Sequence, residues 1–184
     1  MSNNILNCYD NFLQIDLINK INRYIETPQV KRSYVWRTSQ AWPNEVRQKT
    51  SPVAMLELPD QFTIPIHDCL SKTSITWNKN NLPGKSMYYL YPPGGYIGWH
   101  NDDNKEFSSM IYLNKVWKKD WGGLFLYENI EDPGIRAEIP TFNKCIITRG
   151  RISHGVSIVA PDAPLRRVIV TFGGMVGAGK GKND

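Results

Sequence analysis

Disulfide chemistry has little to work with in this sequence, because its 3 cysteines, Cys8, Cys69 and Cys145, are odd in number and far apart. Such a set makes neither a disulfide framework nor a paired metal knuckle, and it points to a reducing compartment. Long apolar runs are missing too. No stretch approaches the roughly 18 apolar residues of a membrane span, and the opening Met1-Ser2-Asn3-Asn4 lacks the basic and then apolar order of a secretory leader. A cytoplasmic protein with no membrane partner is expected. Charge of one sign is modest: 22 Lys and Arg against 17 Asp and Glu leave a net charge of +5. That excess is scattered and partly sits at Lys180 and Lys182, so alone it is weak ground for a nucleic-acid partner. What is present is enough to fold. The chain is 41% hydrophobic and 11% aromatic, which excludes wholesale disorder, and 184 residues suit one compact domain.

Along the chain, Leu13, Leu17, Ile18, Ile21, Tyr24 and Ile25 recur at three- and four-residue steps, the stripe of an amphipathic helix ending near Thr27-Pro28. Residues 30–58 are polar and aromatic with poor periodicity and read as loops with one strand at most. A second helix is expected over Asp60 to Ser71, with Pro65 near its start or breaking it. Beyond Asn78 the texture changes to short β-rich runs between Gly, Pro, Asn and Asp clusters: Ser86 to Tyr91, Tyr96 to His100, Ser108 to Leu113, Gly123 to Tyr127, Lys144 to Thr148, Val156 to Val159 and Arg167 to Phe172. Helices first and strands afterwards give an α+β chain, its N-terminal helices buttressing a β-sandwich or barrel. The expected division is helices and loops over 1–78, a β core over 79–174 and a mobile tail over 175–184.

Only 3 histidines are present, and two fall at strand ends. In His100-Asn101-Asp102 an extended backbone projects the imidazole and the carboxylate to one side. His154 stands far downstream, beside Gly155. Two imidazoles and one carboxylate on one face of a metal form the facial triad of non-haem Fe(II) oxygenases, with the remaining positions open. A histidine held by ordinary strand-end hydrogen bonds, and a solvated acidic turn at Asp102-Asp103, are the plain alternatives. The strand Leu165-Arg166-Arg167-Val168-Ile169-Val170-Thr171-Phe172 carries two guanidinium groups in an apolar setting. Alternation turns one inward, where it needs a partner such as a dicarboxylate; the alternative is a pair of edge charges guarding against aggregation.

Five runs occur in order: Tyr91-Pro92-Pro93-Gly94-Gly95-Tyr96-Ile97-Gly98-Trp99-His100-Asn101-Asp102, Ile111-Tyr112-Leu113-Asn114-Lys115, Trp121-Gly122-Gly123-Leu124, Ser153-His154-Gly155-Val156 and Arg167. Together they resemble the 2-oxoglutarate/Fe(II)-dependent dioxygenases, and most of all their prolyl-hydroxylase branch, over about residues 86–174. The resemblance implies a double-stranded β-helix (jelly-roll) core. It implies Fe(II) held by His100, Asp102 and His154, with 2-oxoglutarate and O2 as cosubstrates and ascorbate as an accessory reductant. Arg167 would pair with the distal carboxylate of 2-oxoglutarate, with Arg166 the second choice; Arg167 is favoured because Thr171 shares its face. Tyr112 would donate its hydroxyl to the same carboxylate, and Tyr91 and Val156 would line the pocket. Gly173, where relatives carry a bulky aromatic residue, implies a roomier pocket.

The implied reaction hydroxylates a C–H bond with release of succinate and CO2. Trp36, Trp42, Trp99 and the loop Trp117 to Trp121 supply aromatic surface near the expected mouth, and Arg149 and Arg151 supply charge, which suits a peptide or a nucleic acid. The resemblance tilts the expectation toward a prolyl residue of a peptide or protein. Demethylation of nucleic acid and a non-catalytic β-barrel binding module are the alternatives.

Overall fold

The computed structural model describes residues 6–37, 44–73, 85–102, 105–128, 134–149 and 152–175. Its helices come early. The apolar stripe of α1 (Ile15–Ile25) buries Ile18, Ile21 and Ile25 completely, each worth roughly 1.5–3 kcal/mol of transfer free energy. The helix has no side-chain cap; the chain just before it is instead anchored from outside. Asn143, in the left-handed region at φ 57°, accepts from the Leu13 N–H and donates to the Leu13 carbonyl, both at 2.9 Å. Pro28 opens the short α2 (Pro28–Ser33), where its fixed φ and missing N–H cost nothing. A third short helix, α3 (Asn44–Gln48), follows.

The expected second helix is α4 (Asp60–Leu70), and it runs through Pro65 without stopping. Phe62, Ile66 and Leu70, four residues apart, are all buried, which holds the helix together. The carbonyl that Pro65 leaves without its helical donor belongs to Gln61, an exposed residue, where water can satisfy it. Among the described residues no helix is long and apolar enough to cross a membrane.

The strands are β1 (Leu6–Tyr9), β2 (Val35–Arg37), β3 (Val53–Glu57), β4 (Ser86–Tyr91), β5 (Ile97–His100), β6 (Lys105–Tyr112), β7 (Phe125–Glu128), β8 (Ile135–Glu138), β9 (Cys145–Arg149), β10 (His154–Val156) and β11 (Arg166–Met175). They form a seven-stranded sheet in the order β1-β9-β6-β11-β4-β3-β2 and a four-stranded sheet in the order β5-β10-β7-β8. Every pairing is antiparallel. This is an α+β chain with a double-stranded β-helix, or jelly-roll, core.

The expected division of the chain needs correction, because residues 1–78 supply three strands of the larger sheet, β1, β2 and β3, and not helices and loops alone. Leu6–Tyr9 pairs with Thr148–Cys145 and Val53–Glu57 with β4; neither short run carries its own alternation signal, since its partner lies far away in sequence. Met175 ends β11, and the remainder of the expected tail, 176–184, lies outside the described residues.

The larger sheet is buried on both faces. Its outer face packs Tyr88, Leu90, Ile111, Ile147 and Ile169 against Ile18, Ile21, Ile25, Phe62 and Ile66 of α1 and α4. Its inner face packs Tyr89, Tyr91, Met110, Tyr112, Ile146, Val168 and Val170 toward the smaller sheet, which contributes Phe125 and Val156. Helices therefore close one side, and the second sheet encloses a cavity on the other.

Candidate metal and cosubstrate site

His100 ends β5 and His154 opens β10, and the antiparallel register sets them directly opposite each other. Their ring centroids are 4.2 Å apart. Such an approach needs tightly spaced backbones, and Gly155 permits it: a Cβ there would stand 3.0 Å from the Ile97 carbonyl oxygen. Asp102, two residues past His100, brings its Oδ2 to 3.8 Å from His154 Nε2. One ligand atom from each of the three residues lies within 4.8 Å of the other two.

The same local device orients both imidazoles. His100 Nδ1 bonds the Gly98 carbonyl at 2.8 Å and His154 Nδ1 the Ile152 carbonyl at 2.9 Å. A carbonyl only accepts, so each Nδ1 carries the proton and each Nε2 keeps its lone pair. Burial, and next the charge of a protonated His154, lower the pKa of His100 to about 4 against the partial opposition of the Gly98 carbonyl and Asp102. Neutral nitrogen donors beside a carboxylate are the donor set a divalent iron takes on one face.

From this triad a cavity runs between the sheets, walled by Tyr89, Tyr91, Ile97, Met110, Phe125 and Val156. Val168, Val170 and Phe172 of β11 complete the wall, with Arg166 in the same row. Arg166 is 1% exposed. Its guanidinium carbon lies 4.6 Å from the Tyr91 ring centroid and 5.1 Å from that of Tyr112. Among the described residues, Arg166 Nε and Nη1 and the Tyr112 hydroxyl oxygen are buried without a hydrogen-bond partner. A buried cation left short of acceptors is costly unless an anion completes it. Burial, partly countered by the Arg166 charge, pushes the Tyr91 hydroxyl up to about 12 and raises Tyr112 as well, so both phenols remain donors at neutral pH.

The expected orientation of the two arginines is thus reversed. Arg167 points to the outer face, where its Nη2 pairs with Glu26 Oε1 of α1 at 2.8 Å and where it lines a groove with Asn22 and Lys115. Thr171 does share its face, but that face is the helix side: Thr171 Oγ1 bonds Ser86 Oγ at 2.8 Å there. The apolar residues Val168, Val170 and Phe172, which share the face of Arg166, are the cavity wall. The expectation of a roomier pocket from Gly173 is also corrected. Phe172 supplies an aromatic wall one position earlier, whereas Gly173 lies opposite Phe107, a residue packed on the helix-side core.

Tyr91 and Val156 line the cavity, and Tyr112 stands beside Arg166. Trp117 and Trp121 pack against the inner core and do not line this cavity. They form a T-shaped pair, centroids 5.5 Å apart, with Trp117 packed behind Gly123. Gly123, missed by the sequence reading as anything but part of a motif, adopts φ +61°, and a Cβ there would meet Arg166 Cδ at 2.8 Å and Trp117 at 3.2 Å. Trp36 and Trp99 are exposed. Trp42 and Arg151 lie outside the described residues, as does the side chain of Arg149.

Residues 86–172 match the model of the 2OG-Fe(II) oxygenase superfamily. No curated protein matches the sequence. Among solved structures, a Pseudomonas putida prolyl-4-hydroxylase is 15% identical with a TM-score of 0.73, covering 96% of this chain and 95% of its own. A Trichoplax adhaerens prolyl hydroxylase, solved in complex with a peptide fragment of the hypoxia inducible factor oxygen degradation domain, is 18% identical with a TM-score of 0.70 over 93% of this chain and 84% of its own. A Burkholderia pseudomallei oxidoreductase of the 2OG-Fe(II) oxygenase family is 18% identical with a TM-score of 0.51, over 76% of this chain and 71% of its own. Residues 86–172 thus match a 2OG-Fe(II) oxygenase domain, and the chain has the prolyl-hydroxylase fold. It is a 2-oxoglutarate-dependent dioxygenase.

Proposed function

We propose that this enzyme hydroxylates a C–H bond of a prolyl residue in a peptide or protein, with Fe(II) held by His100, Asp102 and His154. Bound together, iron and 2-oxoglutarate supply an O2-dependent oxidation that releases succinate and CO2, with ascorbate as an accessory reductant. Arg166 takes the distal carboxylate of 2-oxoglutarate through the planar fork of its guanidinium, and Tyr112 donates its hydroxyl to the same group. Tyr91, Val156 and Phe172 hold the cosubstrate's carbon chain and keep water from the metal side of the cavity. The Gly98 and Ile152 carbonyls keep both imidazoles in the tautomer that presents Nε2.

The observation that carries this reading is the pairing of a three-residue donor cluster and a buried arginine with two partnerless nitrogens in one cavity. Two sites needing opposite charges, joined by an apolar wall, suit a dicarboxylate that chelates at one end and is anchored at the other. The peptide substrate rests on likeness of fold to prolyl hydroxylases, one of them seen with a peptide, and fold transfers reaction type better than substrate.

Anaerobic addition of Fe(II) and 2-oxoglutarate should produce a visible charge-transfer band, and aerobic turnover with proline-containing peptides should raise succinate release above the uncoupled background. A folded protein giving no band and no succinate overturns the assignment. A band with no response to any proline peptide overturns the substrate alone.

A further inference from the structure

Asn114 sits just beyond the end of β6 and takes over where the backbone ladder stops. Val168 is the first β11 residue paired with β6, opposite Tyr112, so the same register sets Asn114 opposite Arg166. The Arg167 N–H donates to Asn114 Oδ1 at 2.6 Å, and Asn114 Nδ2 donates to the Leu165 carbonyl at 2.9 Å. The first of these groups belongs to the peptide plane after Arg166 and the second to the plane before it. Both planes are rigid, so a single side-chain amide holds the two torsions of Arg166 from either side. The Leu113 N–H adds a bond to the Arg167 carbonyl at 3.0 Å.

A short side chain with its donor and its acceptor on separate atoms performs this double duty, and the asparagine amide is such a group. Asn114 itself lines the outer groove with Arg167 and not the inner cavity. Its influence on the cavity passes through Arg166. There the direction of the Cα–Cβ bond decides whether the guanidinium reaches along the row of Val168 and Val170 or collides with Gly123, whose missing Cβ leaves the space for Arg166 Cδ.

We propose that Asn114 is a positioning residue for cosubstrate binding: by clamping the peptide groups on both sides of Arg166 it aims the guanidinium at the distal carboxylate of 2-oxoglutarate. This rests on the assignment of Arg166 under Proposed function. Dislocation of a preorganised bidentate partner weakens binding even when every contacting group is still present.

The test is a titration of the Mn(II)-loaded protein with 2-oxoglutarate, with Mn(II) affinity measured alongside, for wild type, Asn114→Ala, Asn114→Asp, Arg166→Met and the double variants. Asn114→Ala should raise the dissociation constant for 2-oxoglutarate about tenfold or more, the scale of one well-made hydrogen-bonded contact, with Mn(II) affinity unchanged within about twofold. Asn114→Asp keeps the acceptor for the Arg167 N–H but sets a charged oxygen where Nδ2 donated to the Leu165 carbonyl, so it should recover at most part of that loss. Combined with Arg166→Met, the Asn114 change should add nothing, because coupled residues are non-additive; a purely structural role would add its full cost. Should Asn114→Ala fail to fold, Asn114→Asp and its double variant carry the same comparison. Wild-type affinity in Asn114→Ala, or additivity in the double variant, overturns the proposal while leaving the Arg166 assignment standing. Wild-type protein that binds Mn(II) but not 2-oxoglutarate overturns the assignment and the proposal together.

Discussion

The two faces of β11 carry neighbouring arginines under opposite physical regimes. On the helix side, Arg167 meets Glu26, which is itself bonded to Lys31 at 2.6 Å, and the buried hydroxyls of Ser86 and Thr171 satisfy each other. On the cavity side, Arg166 and Tyr112 are buried with polar atoms left over. Burial of a charge without full pairing is a cost to folding, and Arg166 carries that cost on the inner face. The outer face therefore contributes stability, and the inner face holds capacity for a ligand.

Substitutions separate those regimes. The largest effect is expected at the triad: Asp102→Ala should weaken Mn(II) or Fe(II) binding by more than about 100-fold, since even partners outside the ligand shell are worth 10- to 100-fold. Calorimetric titration of the metal checks it; near-normal affinity would mean that the carboxylate is not a ligand. Next comes Ile18→Ala, in the helix-side core, which should lower unfolding free energy by about 2–5 kcal/mol in urea melts while metal and 2-oxoglutarate affinities stay unchanged at temperatures where the variant is folded. A change in affinity there would erase the distinction between the faces.

Arg166→Met should then weaken 2-oxoglutarate binding on the order of 10- to 100-fold, the range for loss of a charge-assisted bond, whereas Arg167→Met should shift it less than about twofold, as for an exposed ion pair. Comparable losses from the two would contradict the geometry. The smallest effect is a pH dependence at Glu26. Its hydrogen bond to Lys31, and next the charge of Arg167, hold its carboxyl below the ordinary 4.5 despite some desolvation. The unfolded chain therefore takes up that proton first as acid is added. Stability from this group is complete above about 4.5 and is lost as the pH falls through the lower folded value, so Glu26→Gln should flatten the acid limb of a urea-midpoint profile slightly and leave neutral pH nearly unaffected. A steeper acid limb in the variant would reverse the sign.

Much of the site was legible in the chain itself. His100 and Asp102, two apart on an extended segment, declared a shared direction, and His154, at the start of another β-rich run, offered the second imidazole. Pro65 misled because its cost depends on where the freed carbonyl faces, and Gln61 faces water. The short strands β1 and β2 were opaque, since runs of 4 and 3 residues have no periodicity to read and depend on distant partners. The arginine pair was opaque for another reason: alternation identifies the inward residue only when one face is wholly polar, and both faces of β11 carry apolar core residues.

Composition and residue order alone determined the chemical inventory: two imidazoles, a carboxylate, a basic strand and an apolar chain able to enclose them. The tertiary structure alone decided which arginine enters the cavity, because that depends on strand register against β4 and β6 and on the Asn114 clamp, and the parity of a strand with two buried faces is settled only by what packs on each side.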